Sequence, residues 1–190
     1  MKHPPDALEP RLRASWSLCE TVRADLLATL GRLPPSHWTR PPGSGRWSVA
    51  HQADHLLKAE IGTSKLVRRL IRGDYESLTR PPGAALYDSR LDAYPFGAVT
   101  APPVLEPEGL EADEAHQKLA SAHARFFEEL QVFATGDPDV IVAPDLASDL
   151  WFTLAGWVRV QALHEAHHIL QINELARKWC EQPNARSGRS

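Results

Sequence analysis

Cysteine is scarce in this chain: Cys19 and Cys180 are the only two in 190 residues. Two are too few for a disulfide framework or a zinc finger, and they form no Cys-x-x-Cys pair, so both read as free thiols. Missing too is any apolar run approaching the roughly 18–20 residues that a membrane span needs. The N-terminal Met1-Lys2-His3-Pro4-Pro5-Asp6 lacks the apolar stretch of a signal peptide. No membrane association is expected, and the expected location is the cytoplasm. Positive charge is not in excess either, since 21 Lys and Arg stand against 24 Asp and Glu, a formal net charge of -3. That balance argues against holding nucleic acid through its phosphates. There is no internal repeat, and no segment shows the two-residue alternation of a half-buried strand.

What the chain has in quantity is proline, with 16, and histidine, with nine. Proline removes a backbone donor and its ring clashes with the preceding turn, so helices belong in the proline-free stretches. Four are long enough: Arg11 to Leu33, Gly43 to Arg80, Glu108 to Asp137 and Asp145 to Gln182. Each has helical periodicity. The first carries Leu12, Trp16, Cys19, Leu26, Leu30 and Leu33, with Arg23 as the one polar member of the stripe. In the second stand Leu56, Ala59, Leu66, Val67 and Leu70, with Ser48 placed to cap the start and Gly73 near the end. The third offers Ala115, Leu119, Ala122, Phe126, Leu130 and Phe133; the fourth offers Leu150, Leu154, Trp157 and Leu175. Four amphipathic helices with one apolar stripe each predict an all-α four-helix bundle, a single domain over residues 1–182 with a disordered tail at 183–190.

The connections are uneven. About three dozen residues, Asp74 to Gly109, join the second and third helices, and they hold Tyr75, Tyr87, Asp88, Arg90, Tyr94 and Phe96 among their prolines. A connection of that length is a lid, a binding loop or disorder, and its aromatics favour an ordered crossover packed on the bundle. The six tryptophans read as core or interface packing. Lys65, Arg68, Arg69 and Arg72 read as the solvated face of the second helix.

On the fourth helix the stripe runs Leu150, Leu154, Trp157, Gln161, His164, His168, Gln171, Leu175, apolar at its ends and polar in its middle. Polar groups in a bundle core need partners: each other, water or a metal. His164 and His168 lie one turn apart on one face, a spacing that suits two imidazole nitrogens on one ion. His55 continues inward through Ala59, Gly62, Leu66 and Leu70 on the second helix and is the candidate third ligand, with His51 one turn before it. Three neutral imidazoles leave a coordination position open, the catalytic rather than the structural pattern. Gln161 and Gln171 are candidate partners of the ligands. Taken singly, His51, His116, His123 and His167 read as structural or solvated, and His3 and His37 as surface residues.

His164-Glu165-Ala166-His167-His168 also satisfies the H-E-x-x-H pattern of zinc peptidases. Its surroundings do not support that reading, because no Gly-x-x-His extension follows, few residues remain for a downstream ligand, and no strand-bearing scaffold is evident. Glu165 lies about 100° around the helix from His164.

Together these patches resemble the DinB-like superfamily, and within it the YfiT-like branch of metal-binding bundles. Trp47-Ser48-Val49-Ala50 followed by His55-Leu56 looks like that family's entry to helix two. His164-Glu165-Ala166-His167-His168-Ile169-Leu170-Gln171-Ile172 looks like its helix-four signature, with Gly156-Trp157 upstream fitting as well. The resemblance covers the chain from about Ala7 to Arg177. It implies a bundle with a long crossover after helix two, a divalent ion such as nickel, zinc or iron on His55, His164 and His168, and a homodimer. His51 stands where relatives commonly carry another residue, often acidic.

Three functions follow as expectations. The leading one is a metal-dependent transferase that activates a low-molecular-weight thiol as co-substrate, as some relatives do, acting on a small-molecule substrate. Arg80, Tyr87, Arg90 and Tyr94 of the crossover are the candidate contacts for a carboxylate or sugar hydroxyls. The second is a hydrolase using a metal-bound water, with Glu165 or His167 as base. The third is a non-catalytic dimer that binds metal or a small ligand.

Overall fold

The computed structural model describes residues 8–43, 45–71, 80, 82–95, 102–132, 139–142 and 150–181. The expected tail at 183–190, together with Tyr75, Phe96, Phe133 and Arg72, lies outside the described residues.

Helix α1 spans Pro10–Gly31; proline is tolerated at its first position, where the amide would have no partner, and the Glu9 carboxylate accepts from the Arg11 and Leu12 amides. A single turn, α2 (Pro35–Trp38), precedes α3 (Val49–Ile71). Ser48 caps α3, its Oγ accepting the His51 amide at 3.4 Å. Helix α4 is Ala112–Val132, with Asp113 and Glu114 in its first turn, where the helix dipole favours negative charge. Helix α5 runs Leu154–Glu181, and Thr153 Oγ1 caps it by accepting the Gly156 amide at 3.0 Å. The long helices pack as a four-helix bundle, α1 chiefly on α5 and α3 on α4 and α5. No helix among the described residues is long and apolar enough to cross a membrane.

A small sheet joins the crossover to the bundle, a feature the sequence reading did not anticipate. Its strands are β1 (Ala85–Tyr87), β2 (Ile141–Val142) and β3 (Leu150–Thr153), in the order β1-β3-β2. β1 runs parallel to β3 with Tyr87 opposite Phe152, and β2 runs antiparallel with Val142 opposite Phe152. Strands of two to four residues are too short to show alternation, and their pairing partners lie far along the chain. Leu150 therefore belongs to β3 and not to the helical stripe.

The expected stripe of α1 is buried throughout from Leu12 to Leu30, Arg23 included. On α3 the expectation is corrected: Gly62 is exposed and Ala59 and Leu66 are half-buried, whereas Ala53, Leu56, Glu60, Ser64 and Val67 form the buried stripe. A purely apolar reading rejects Glu60, and the rotation of α3 is what brings it inside. The core divides into two apolar clusters, one around Leu26, Leu56, Leu119 and Ile172, the other around Trp16, Val67, Phe126 and Val158. On each long helix a buried polar residue stands between them in sequence: Arg23, Glu60, His123 and Glu165.

This layer is a bonded network. Arg23 makes a two-pronged contact with Glu165, Nη2 to Oε1 at 2.5 Å and Nε to Oε2 at 3.0 Å. Its Nη2 also pairs with Glu60 Oε2 at 2.9 Å, and its Nη1 donates to the Leu119 carbonyl at 2.5 Å. Burial alone would favour loss of the Arg23 proton, but Glu165 and then Glu60 outweigh it and hold the guanidinium firmly charged. His123 Nδ1 lies 2.9 Å from Glu60 Oε1 and Nε2 lies 3.2 Å from Glu20 Oε1, with the ring stacked on Trp16 at 4.4 Å. The basic patch of α3 is solvated as expected where it is described: Lys65 and Arg69 are exposed, and Arg68 pairs with Glu129 at 2.8 Å.

The return of the crossover is stitched along α3. Asp54 Oδ2 accepts the Glu108 amide at 2.7 Å and the Gly109 amide at 3.1 Å, and pairs with Lys58 at 3.2 Å. Gly109 takes φ +96°, a left-handed conformation that glycine adopts without a Cβ penalty. Lys58 Nζ donates to the Glu106 carbonyl at 2.9 Å, and Trp38 Nε1 to the Leu110 carbonyl at 2.5 Å. Asp54→Ala is expected to cost about 1–3 kcal/mol, since two amides lose their acceptor. Burial pushes the Asp54 carboxyl up, but the two amides and Lys58 outweigh it and leave it below its ordinary value. The difference between wild type and Asp54→Ala should thus be complete above the ordinary Asp pKa of about 3.9 and shrink as pH falls below it. Urea midpoints at several pH values measure it, and a pH-independent difference would rule out the carboxylate as its source.

Candidate metal centre

α3 and α5 bring three buried histidines together. One nitrogen from each of His55, His164 and His168 lies within 4.8 Å of the others. His55 Nε2 and His164 Nε2 are 3.0 Å apart. Two imidazole nitrogens at that distance need something positive between them, a proton on one ring or a cation. Ligands of a tetrahedral ion with bonds of about 2.0–2.1 Å stand roughly 3.4 Å apart, so the His55–His164 pair is close to what an ion requires, with the His168 nitrogen within 4.8 Å of both.

The outer nitrogens of two rings are fixed. His55 Nδ1–H donates to the Leu105 carbonyl at 3.0 Å, on the stitched return segment. His168 Nδ1–H donates to Gln52 Oε1 at 3.0 Å, and Gln52 Nε2 in turn donates to the Trp47 carbonyl at 3.4 Å. Both acceptors select the tautomer whose Nε2 lone pair is bare and turned to the cluster, as in metal sites whose ligands are oriented by outer partners. Burial lowers the pKa of all three rings, that of His168 to about 3 and that of His164 well below the ordinary value, with the neighbouring histidines adding to the effect there. At neutral pH the rings are uncharged, the form that binds a metal.

Two aromatic rings flank the cluster. Trp47 tilts over His55 at 4.7 Å and lies nearly parallel to His168 at 6.4 Å. Tyr94, carried by the crossover, stacks on His164 at 5.0 Å and 11° and on His167 at 5.3 Å and 26°. The Leu91 amide bonds the Asp88 carbonyl at 3.1 Å and Arg159 Nε donates to the Leu91 carbonyl, which ties this stretch to α5. Burial pushes the Tyr94 phenol up to about 12, so it stays protonated.

The other candidate residues stand elsewhere. Glu165, next to His164 in sequence, has both oxygens on Arg23 and also accepts from Gln161 Nε2 at 3.3 Å. His167 is half-buried beneath Tyr94, its Nε2 2.8 Å from Gln171 Nε2. Neither Gln161 nor Gln171 is bonded to the three histidines; Gln52 takes that part. His51 Nδ1 lies 2.7 Å from Ser48 Oγ at the start of α3 and is not one of the clustered residues. Arg80 donates to the Ala84 carbonyl, Arg90 is 88% exposed and paired with Asp88 at 2.6 Å, and Tyr87 stacks on Phe152 at 5.2 Å in the sheet. Gln52 escaped the sequence reading although it lies three residues before His55, on the same face of α3. Nothing local marked the Leu105 carbonyl or Glu60.

The sequence profile of the DinB superfamily matches residues 18–172. The chain belongs to the DinB superfamily. The fold agrees: this DinB-superfamily chain is similar to the solved structure of TT2238, described as a four-helix bundle protein. The TM-score is 0.57 with 22% identity over 86% of this chain and 98% of that one. No curated protein matches the chain. Membership of the superfamily and the three-histidine cluster fit metal binding.

Proposed function

We propose that this DinB-superfamily protein holds a divalent ion, nickel, zinc or iron, on His55, His164 and His168 and activates a low-molecular-weight thiol for transfer to an electrophile. The observation that carries the reading is the buried cluster itself, with the Nε2 atoms of His55 and His168 bared by Leu105 and Gln52. When bound, the ion supplies the positive charge that keeps a thiol ionised at neutral pH. Leu105 and Gln52 hold the ligand rings in orientation, and Trp47 and Tyr94 keep water from their faces. Of the two candidate bases, Glu165 is occupied by Arg23, which leaves His167 beside the cluster. The engagement of Glu165 by Arg23 removes the carboxylate from the hydrolytic reading, which is left with His167 as its base.

Metal content of untagged protein by plasma mass spectrometry tests this. Wild type should carry about one ion per chain, and His164→Ala and His55→Ala should each lose it, since two imidazoles do not retain an ion that three hold. Turnover should then require an added thiol. Wild type that stays metal-free after refilling with nickel, zinc or iron would overturn the proposal.

A further inference from the structure

We infer that the groove between α3 and α4 is a second binding site, built for an unbranched fatty carboxylate whose head sits among Lys65, Arg68 and Arg125 and whose tail lies on Leu57, Ile61 and Ala122. The two helices run side by side in one direction, since Glu60 meets His123 and, further along both, Ser64 meets Glu129. Between them lies a space of about 670 Å³, within the size range of small-molecule sites. One end of its floor is apolar: Leu57 is 7% exposed, Ala122 is half-buried, and Ile61, at 39%, is among the large apolar side chains left open to solvent. Lys65 follows Ile61 by one turn and Arg68 by two, so the groove passes from apolar to cationic along roughly 16 Å of helix. None of the three clustered histidines lines it, and the inference stands apart from the metal centre.

Charge decides the head group. The lining carries Lys65, Arg68, Lys118 and Arg125 and no carboxylate. Glu129 answers Arg68 at 2.8 Å and Arg125 at 3.4 Å, one negative charge for two guanidiniums, and it accepts from Ser64 as well. Arg68 Nε is buried without an acceptor, and among the described residues Lys65 has no bonded partner. This positive excess suits an anion. It opposes a second copy of the chain as the occupant, because a self-complementary two-fold contact would set the same cations against one another. The apolar floor is recessed between charged rims, a shape that takes a single alkyl chain and not a flat membrane surface. Each methylene removed from water there adds to affinity.

The test titrates the full chain calorimetrically with decanoate, decyltrimethylammonium and acetate, each below the concentration at which micelles form. Decyltrimethylammonium keeps the tail and reverses the charge of the head; acetate keeps the head and lacks the tail. Wild type should bind decanoate at least about tenfold more tightly than either of the others. Lys65→Glu should weaken decanoate by at least about tenfold, by placing a carboxylate beside the head. Ile61→Gln should weaken it by at least about threefold and leave acetate unchanged, because only the tail meets that side chain. Unchanged urea midpoints establish that both variants keep the fold. His55→Ala should bind decanoate as wild type does, whatever its metal content. No binding by wild type, equal binding of the two decyl amphiphiles, or an affinity unchanged in both groove variants overturns the inference. So does loss of binding in His55→Ala, which would assign the carboxylate to the histidine cluster. Retention of wild type on phosphatidylglycerol vesicles without binding of free decanoate overturns it too, making the groove a contact for a lipid surface.

Discussion

Arg23→Met is expected to destabilise the protein by about 3–5 kcal/mol, the cost of leaving buried charge without its partner. Glu60 and Glu165 are 0% and 2% exposed, and Arg23 answers both. Without it, two carboxylates face one another in the layer between the apolar clusters, with His123 and Gln161 as the remaining described contacts. Lysine does not repair the loss, because a single ammonium cannot reproduce the two-pronged contact with Glu165 together with the bonds to Glu60 and Leu119. Arg23→Met combined with Glu60→Leu and Glu165→Leu is expected to recover most of it, since a buried ionic group replaced as a whole by apolar side chains is often neutral or stabilising. Recovery stops short of complete because His123 Nδ1 loses its partner. Urea denaturation of the three variants measures this. A loss below about 1 kcal/mol for Arg23→Met would mean that the carboxylates are protonated or hydrated, and that the network does not carry the charge ascribed to it.

Gly156→Ala should be destabilising even though alanine is by about 1 kcal/mol the better helix former. A Cβ at this position would stand 2.3 Å from the Tyr87 carbonyl oxygen, 2.9 Å from its carbon and 3.1 Å from Asp88 Cα. All three are backbone atoms, so no side-chain rotation relieves the clash. Either β1 moves away from the start of α5 or the first turn of α5 shifts. A net loss of about 2 kcal/mol is expected, seen as a fall of about 4–8 °C in Tm. The displacement would be felt at the site, because Asp88 bonds the Leu91 amide and the same segment carries Tyr94 onto His164. A variant more stable than wild type would show that the strand does not constrain α5 as described.

Much of this was legible in the residues alone, for a local reason. Proline-free stretches with apolar residues at three- and four-residue steps identify the long helices, because helix geometry is set by neighbours within one turn. His164 and His168 share a face by their spacing, whereas His55 is reached through Ala59, Gly62, Leu66 and Leu70, a stripe whose first three members the structure does not bury although it buries His55. The same logic misled on α3, where the polar Glu60 lies inside while Gly62 lies outside.

The sequence by itself determined the four long helices, the absence of a disulfide framework and the pair of histidines one turn apart. Tertiary structure alone decided what those histidines meet: the Gln52 amide on His168, the Leu105 carbonyl on His55, the Tyr94 ring on His164. It also decided that Arg23, Glu60 and Glu165 form one charged layer, that Tyr87 pairs with Phe152, and that Gly156 must be glycine. Periodicity tells which residues share a face of one helix. It does not tell how far that helix is rotated, or which distant backbone reaches it, because both are settled by contacts between segments remote along the chain.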